Sequence, residues 1–450
     1  MAITSPWHPD RIEELYTRRF QACVDTCARK IHPALALVFA ILTVGIFISF
    51  DRLWVEPFIP RAHLDVLRLT RHAAYALVPL SFLALWISEN LRTLFEWVIL
   101  TAVWIGLGIA FRDSSTAGAA EGFFAFFPLI SGVTALLFAW RARPSYNRIL
   151  ASIVFVGAFF AVFANLALSA ERGSDSLFWF RQAWAVEPQY YFFMGLAFLL
   201  SSPTESRLAP LATNPAHLLF PLSWPMETRA SLSPEFRDRY RLWWEGFFRV
   251  VKAMTLALLL LAAHSNRQLA GAPVALRALW GYFFLLIATV IVGNLGVGLA
   301  QMFRLPAPPG TWFVFFARSP LDFWKRDSTY AYRYAIRFIY FPLARLLRKG
   351  APALIGSFFI YICYRFLFRQ VLVASLSHRL APSLPDVDPT AVPAAVTVGL
   401  SWLVVMLISV RFWISGEKTR DSARWAWLSI LLTHLAVYST DLALLLFVSR

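Results

Sequence analysis

The sequence predicts an all-α, polytopic integral membrane protein of about 11 transmembrane helices. Three observations carry that prediction. Of 450 residues, 58% are hydrophobic and the mean hydropathy is +0.59, well above a soluble globular domain. Apolar runs long enough to cross a bilayer recur from one end of the chain to the other. The basic residues behind a net charge of +16 gather at the ends of those runs. Nucleic acid is not needed to explain that charge, because positive-inside bias and interfacial anchoring account for it.

Taken in order, the chain reads as one polytopic domain over 1–450. Residues 1–30 are polar, with no signal-peptide pattern, and the segment from Asp10 to Lys30 has the spacing of an amphipathic surface helix. A group of N-terminal helices follows over 31–200, with spans expected at 33–50, 72–88, 93–111, 122–140, 149–168 and 189–201. Arg18, Arg19, Arg29 and Lys30 precede the first span, and Arg141, Arg143 and Arg148 follow the fourth. An even number of crossings puts both groups on one side, read as cytoplasmic. The basic loop with Arg61, Arg68 and Arg71 fits that scheme only as a surface helix.

Residues 201–242, punctuated by proline and serine, read as a polar interfacial loop. Beyond it lies a core over 243–380, with spans at 254–263 plus flanks, 279–300 and 353–376. A proline-rich connection leads to the last two spans at 394–413 and 425–448. Cys23, Cys27 and Cys363 form no disulfide framework, and no metal site is expected. Arginine greatly outnumbers lysine, as in GC-rich bacterial genomes, which suggests a bacterial cytoplasmic membrane.

Polar residues inside spans mark the chemistry. Tyr361, Arg365 and Arg369 recur every four residues on one helix face, and Arg365 lies near mid-span. A charge there costs about 2.5–3.5 kcal/mol on translocon scales, so it must face protein or water. On the last span His434, Tyr438 and Asp441 form a polar stripe at i, i+4 and i+7. That stripe either lines a polar cavity with Arg365 or is an interhelical hydrogen-bonded patch. His378 stands beside Arg379 at a helix end, and His8, His32, His63, His72, His217 and His264 suit surface or structural roles.

The stretch from Val292 to Pro342 organises the core. It leaves a small-residue run, crosses a proline-rich loop and enters a helix in which Arg326, Arg333 and Arg337 share one face opposite Trp324 and Phe338. That pattern suits a helix lying along or dipping into a membrane interface.

Gly298-Leu299-Ala300-Gln301-Met302, Arg304-Leu305-Pro306, Ala317-Arg318-Ser319-Pro320, Phe323-Trp324-Lys325-Arg326 and Tyr340 with Pro342 together resemble the membrane-bound O-acyltransferase (MBOAT) family. The likeness is to its bacterial branch that acylates exopolysaccharides and cell-wall polymers, and covers roughly a third of the chain. It implies an MBOAT-like fold with re-entrant or interfacial helices around a tunnel. It implies transfer of an acetyl-type group to a polysaccharide or other envelope glycan. The donor would be an acyl-CoA or acyl carrier protein, acting as substrate with no bound cofactor. Membrane lipids, the glycan acceptor and an extracytoplasmic hydrolase-like protein would be the partners.

The departures from the family are specific. Asn294 replaces an acidic residue, and Asp327-Ser328 replaces a Trp-His or Trp-Asn pair. The family's catalytic histidine has no counterpart, since Tyr364 or Arg365 falls at its position, while His378 resembles a second, downstream histidine. Arg318, Asp322, Trp324, Lys325 and Arg326 remain. The guanidinium and ammonium groups either bind a phosphate-bearing donor or anchor the helix to headgroups, with Arg333 and Arg365 as further cations. The base is sought among His378, His434, Tyr364 and Asp441. Two other readings stand beside the enzyme: a non-catalytic scaffold of an envelope polysaccharide system, and a lipid or small-molecule translocator.

Overall fold

Alternating stretches of aromatic and charged residues become helices wherever their spacing follows 3.6 residues per turn. In a computed structural model of the chain, the residues described are 7–50, 52–53, 77–86, 235–264, 274–304, 307–327, 329, 332, 336, 340–348 and 423–448. All regular structure among them is helical. The helices are α1 (Pro9–Lys30), α2 (Pro33–Phe50), α3 (Leu77–Trp86), α4 (Phe236–His264), α5 (Val274–Met302), α6 (Pro320–Asp327), α7 (Phe341–Leu347) and α8 (Ala423–Val448). A 3-10 turn, Val314–Phe316, precedes α6.

Helix α1 starts where His8 Nδ1 accepts the Asp10 amide at 3.4 Å, with Pro9 in the first turn. It ends at extended Ile31, and α2 begins two residues later. Two helices among the described residues are long and apolar enough to cross a membrane, Pro33–Phe50 and Tyr282–Met302. At 1.5 Å per residue they measure about 27 and about 32 Å, close to the hydrocarbon thickness of about 30 Å. The spans expected at 93–111, 122–140, 149–168, 189–201, 353–376 and 394–413 lie outside the described residues.

Helix α4 begins at Phe236, inside the stretch read above as a loop through 242. Its charged residues mask an aromatic spine. Tyr240, Trp243, Trp244 and Phe247 are buried, Trp243 stacks on Phe247 at 5.2 Å, and Phe82 of α3 meets Trp243 edge-on at 5.3 Å. Trp243 Nε1 donates to Ser81 Oγ at 3.0 Å, satisfying a donor with no access to water.

Helices α4 and α5 approach closely where glycine faces glycine. A Cβ at Gly246 would lie 2.4 Å from the Gly298 carbonyl oxygen, and one at Gly298 would lie 2.7 Å from the Gly246 carbonyl oxygen. That approach brings Glu245, Arg249 and Gln301 together. Gln301 Nε2 donates to Glu245 Oε1 at 3.1 Å and to the Ala307 carbonyl at 2.9 Å, while Arg249 Nε donates to Gln301 Oε1 at 3.1 Å. Helix α5 therefore holds both α4 and the loop leading to the motif. It ends at Met302, and two residues on, Arg304, a non-glycine residue in the left-handed region (φ 70), donates from its buried guanidinium to the Ala84 carbonyl of α3 at 3.3 Å. Asn294 turns inward on α5, its side chain bonded to the Val290 carbonyl at 2.7 Å.

Candidate functional site

The motif loop is shaped by its own capping chemistry. Ser319 Oγ accepts the Asp322 amide at 3.1 Å, and Asp322 Oδ2 accepts the Arg318 amide at 3.1 Å. These two side-chain caps, with Pro320 in the first turn, start α6. Phe313 takes a left-handed conformation (φ 45) just before the 3-10 turn, which redirects the chain beneath α1. Phe323 and Trp324 face inward from α6, whereas Lys325 is exposed.

The arginines of the motif meet carboxylates of α1. Arg318 Nη2 donates to Asp10 Oδ1. Arg326 Nη1 donates to Glu13 Oε2 at 2.8 Å, and its Nε contacts both oxygens of Asp322 at 3.0 Å. Burial opposes the Arg326 charge, but the bonds to Glu13 and Asp322 outweigh it and leave the guanidinium pKa raised. Glu13 also accepts Trp312 Nε1 at 2.5 Å. Farther along α1, Arg241 of α4 donates to Asp25 at 2.6 Å and to Gln21 at 2.7 Å. Tyr16 meets Phe313 edge-on at 5.3 Å, and Lys252 stands over the Tyr16 ring at 5.3 Å.

The last helix reaches the same loop from the other side. His434 of α8 places Nε2 3.1 Å from the Phe315 carbonyl and Nδ1 2.5 Å from the Tyr282 hydroxyl of α5. A carbonyl only accepts, so Nε2 carries a proton; in the neutral ring Nδ1 is then the acceptor of the phenol. The Phe323 ring packs edge-on to the imidazole at 5.6 Å, and Tyr438 lies against Tyr282 at 6.1 Å. Three elements distant in sequence thus converge on one imidazole–phenol pair.

His434, Tyr438, Arg318, Asp322, Phe323 and Arg326 come together around the motif, Ser319 shapes its turn, and Asn294 lies on the neighbouring α5. Asp441 is on α8, but its side chain lies outside the described residues, as do Pro320's side chain and all of Ser328, Arg333, Tyr364, Arg365 and His378. The face expected to be shared by Arg326, Arg333 and Arg337 is described only at Arg326, because Arg333 and Arg337 lie outside the described residues. Tyr282, Trp312, Asp10 and Glu13 were not singled out from sequence for this site. The available signal for the last two was their three-residue spacing, which puts Asp10 and Glu13 on one face of α1.

Among the described residues no group of three or more His, Cys, Asp or Glu side chains is placed to hold a metal ion. Chemically the arrangement offers an imidazole–phenol pair on one side of the motif loop and two carboxylate-paired guanidiniums at the motif itself. Compared with known proteins, the chain matches no family model and no curated protein.

Proposed function

We propose that the chain is a divergent membrane-bound O-acyltransferase that transfers an acetyl-type group from a thioester donor to a hydroxyl of an envelope glycan. The observation that carries this reading is the delivery of His434 to the motif loop, with Tyr282 on Nδ1 and the Phe315 carbonyl on Nε2. In this mechanism the glycan hydroxyl oxygen attacks the thioester carbonyl carbon as its proton passes through the Tyr282 phenol to Nδ1. The C–S bond then breaks, and the departing thiolate takes that proton back from the imidazolium. General-base catalysis of this kind contributes about 10²–10⁴-fold. Arg318, Lys325 and Arg326 are the donor's phosphate partners, because guanidinium forks match phosphate oxygens.

The fold proposed with this function is MBOAT-like, with about 11 spans and a bacterial cytoplasmic-membrane location. Membrane lipids and an extracytoplasmic hydrolase-like protein are its proposed partners. The test is transfer of radiolabelled acetyl groups to envelope glycans by purified protein in nanodiscs, with His434→Ala and His378→Ala in parallel. Loss of turnover in His434→Ala alone is expected; loss in His378→Ala alone would move the base elsewhere.

A second reading has its own support. Asp10 and Glu13 already occupy Arg318 and Arg326, and both imidazole nitrogens have intramolecular partners, as in a packing junction of a non-catalytic scaffold. Turnover in no variant, with a partner protein or glycan still bound, would favour it.

A further inference from the structure

We propose that α1 is a displaceable acidic clasp, whose Asp10 and Glu13 hold the guanidinium pair Arg318 and Arg326 until a phosphate-bearing ligand takes their place. This inference rests on the proposed donor-binding role of those arginines and adds its regulation.

The first ground is chemical. A carboxylate and a phosphate oxygen present the same acceptor to a guanidinium, so the α1 carboxylates stand where such a ligand's oxygens would stand. The second is an imperfect fit. Asp10 engages Arg318 through Nη2, and among the described residues the buried Arg318 Nε has no hydrogen-bond partner. A tetrahedral oxyanion can accept from Nε and Nη2 together, whereas the carboxylate as placed leaves one buried donor unmet.

The third ground is that the site survives release. Arg326 keeps both oxygens of Asp322 through Nε when Glu13 leaves, and its Nη1 keeps the Phe313 carbonyl at 3.5 Å, so the guanidinium stays in place. The Arg318 amide remains capped by Asp322, and Trp312 loses only the Glu13 acceptor from its indole. The loop itself is tied down independently of α1, since the Trp312 amide donates to the Arg326 carbonyl at 2.8 Å and the Thr329 amide to the Gly310 carbonyl at 2.9 Å.

The fourth ground is where α1 is anchored. Its C-terminal half is fixed to α4 by Arg241 on Asp25 and Gln21 and by the Tyr240 hydroxyl on the Ile31 carbonyl. Its first two turns are tied to the motif through Asp10 and Glu13, with the Trp7 carbonyl accepting Trp427 Nε1 at 2.9 Å. Loss of the two carboxylate contacts therefore loosens the front of the helix, leaving it the Trp7–Trp427 bond and the Tyr16–Phe313 contact, while its rear stays docked.

The experiment uses the full chain in nanodiscs with inorganic pyrophosphate as the probe, read by calorimetry and by hydrogen exchange of the α1 amides. Asp10→Asn and Glu13→Gln keep side-chain shape and remove the competing charge. Each is expected to tighten pyrophosphate binding about tenfold, a factor equivalent to about 1.4 kcal/mol. Pyrophosphate is expected to speed exchange in the first two turns of α1 in the unaltered protein, and Arg318→Ala with Arg326→Ala to abolish binding. Glu14→Gln, whose exposed carboxylate pairs with Arg18, should bind as the unaltered protein does. Equal or weaker binding by Asp10→Asn and Glu13→Gln, or no binding by any of the proteins, overturns the clasp. Because no step requires turnover, loss of the clasp and loss of the acyl-transfer reading register separately.

Discussion

Replacing Gly246 with alanine tests how closely α4 and α5 must meet. The new Cβ would lie 2.4 Å from the Gly298 carbonyl oxygen and 2.8 Å from the Met302 backbone nitrogen, where ordinary contact begins at 3.4 Å. Neither atom belongs to a flexible side chain, so the helices must part by about 1 Å to accept it. A gap of about that size forfeits a quarter to a half of the dispersion attraction across the seam. It also stretches the 3.1 Å bonds from Gln301 to Glu245 and Arg249 beyond hydrogen-bonding range. Overpacking costs about 1–3 kcal/mol, and each lost bond to a charged group adds about 1 kcal/mol or more. A loss of about 3–5 kcal/mol is therefore expected in reversible unfolding from detergent micelles. Gly298→Ala should cost nearly as much, and the double variant little more than either, because helices already parted admit the second methyl. A change below about 0.5 kcal/mol in either single variant would refute the close crossing.

Other perturbations probe the remaining contacts. Trp243→Ala removes a fully buried indole from the α3–α4 aromatic cluster and should cost about 3–5 kcal/mol in the same unfolding measurement. Arg326→Lys replaces a fork that engages Glu13 and Asp322 at once with a single ammonium, and should raise protease cleavage within α1 several-fold. The Cys27 thiol is pushed up by burial and by its neighbour Cys23, so it stays protonated to higher pH. Maleimide at pH 8 should therefore modify Cys23 before Cys27, with Cys27 labelling rising as the pH is raised, as read by peptide mass spectrometry.

Local chemistry in the sequence was enough for some elements. The helix from Asp10 to Lys30 shows in its spacing, and α2 in an uninterrupted apolar run. The start of α4 was missed because Arg237, Asp238, Arg239 and Arg241 lower the hydropathy of a segment whose Phe236, Tyr240 and Trp243 nonetheless recur at helical spacing. The site was only half legible. His434 and the motif stand out as polar residues in apolar surroundings, but their meeting depends on how α8 packs against α5 and the loop. Local periodicity holds no such information. The same is true of Arg318 and Arg326, whose partners Asp10 and Glu13 lie some 300 residues away and were invisible to any argument from neighbouring spacing. Guanidiniums that read as open to a ligand are in fact already paired within the chain.

Chemical rescue tests most directly whether His434 is the proton acceptor at the motif. Acyl transfer by His434→Ala would be measured in nanodiscs with and without added imidazole, which can enter the space the side chain vacates beside Tyr282 and Phe315. The expected result is a fall of about 10²–10⁴-fold in turnover, partly restored by imidazole in proportion to its free-base concentration. Turnover equal to that of the unaltered protein, or a deficit that imidazole leaves untouched while the fold is intact, would contradict it.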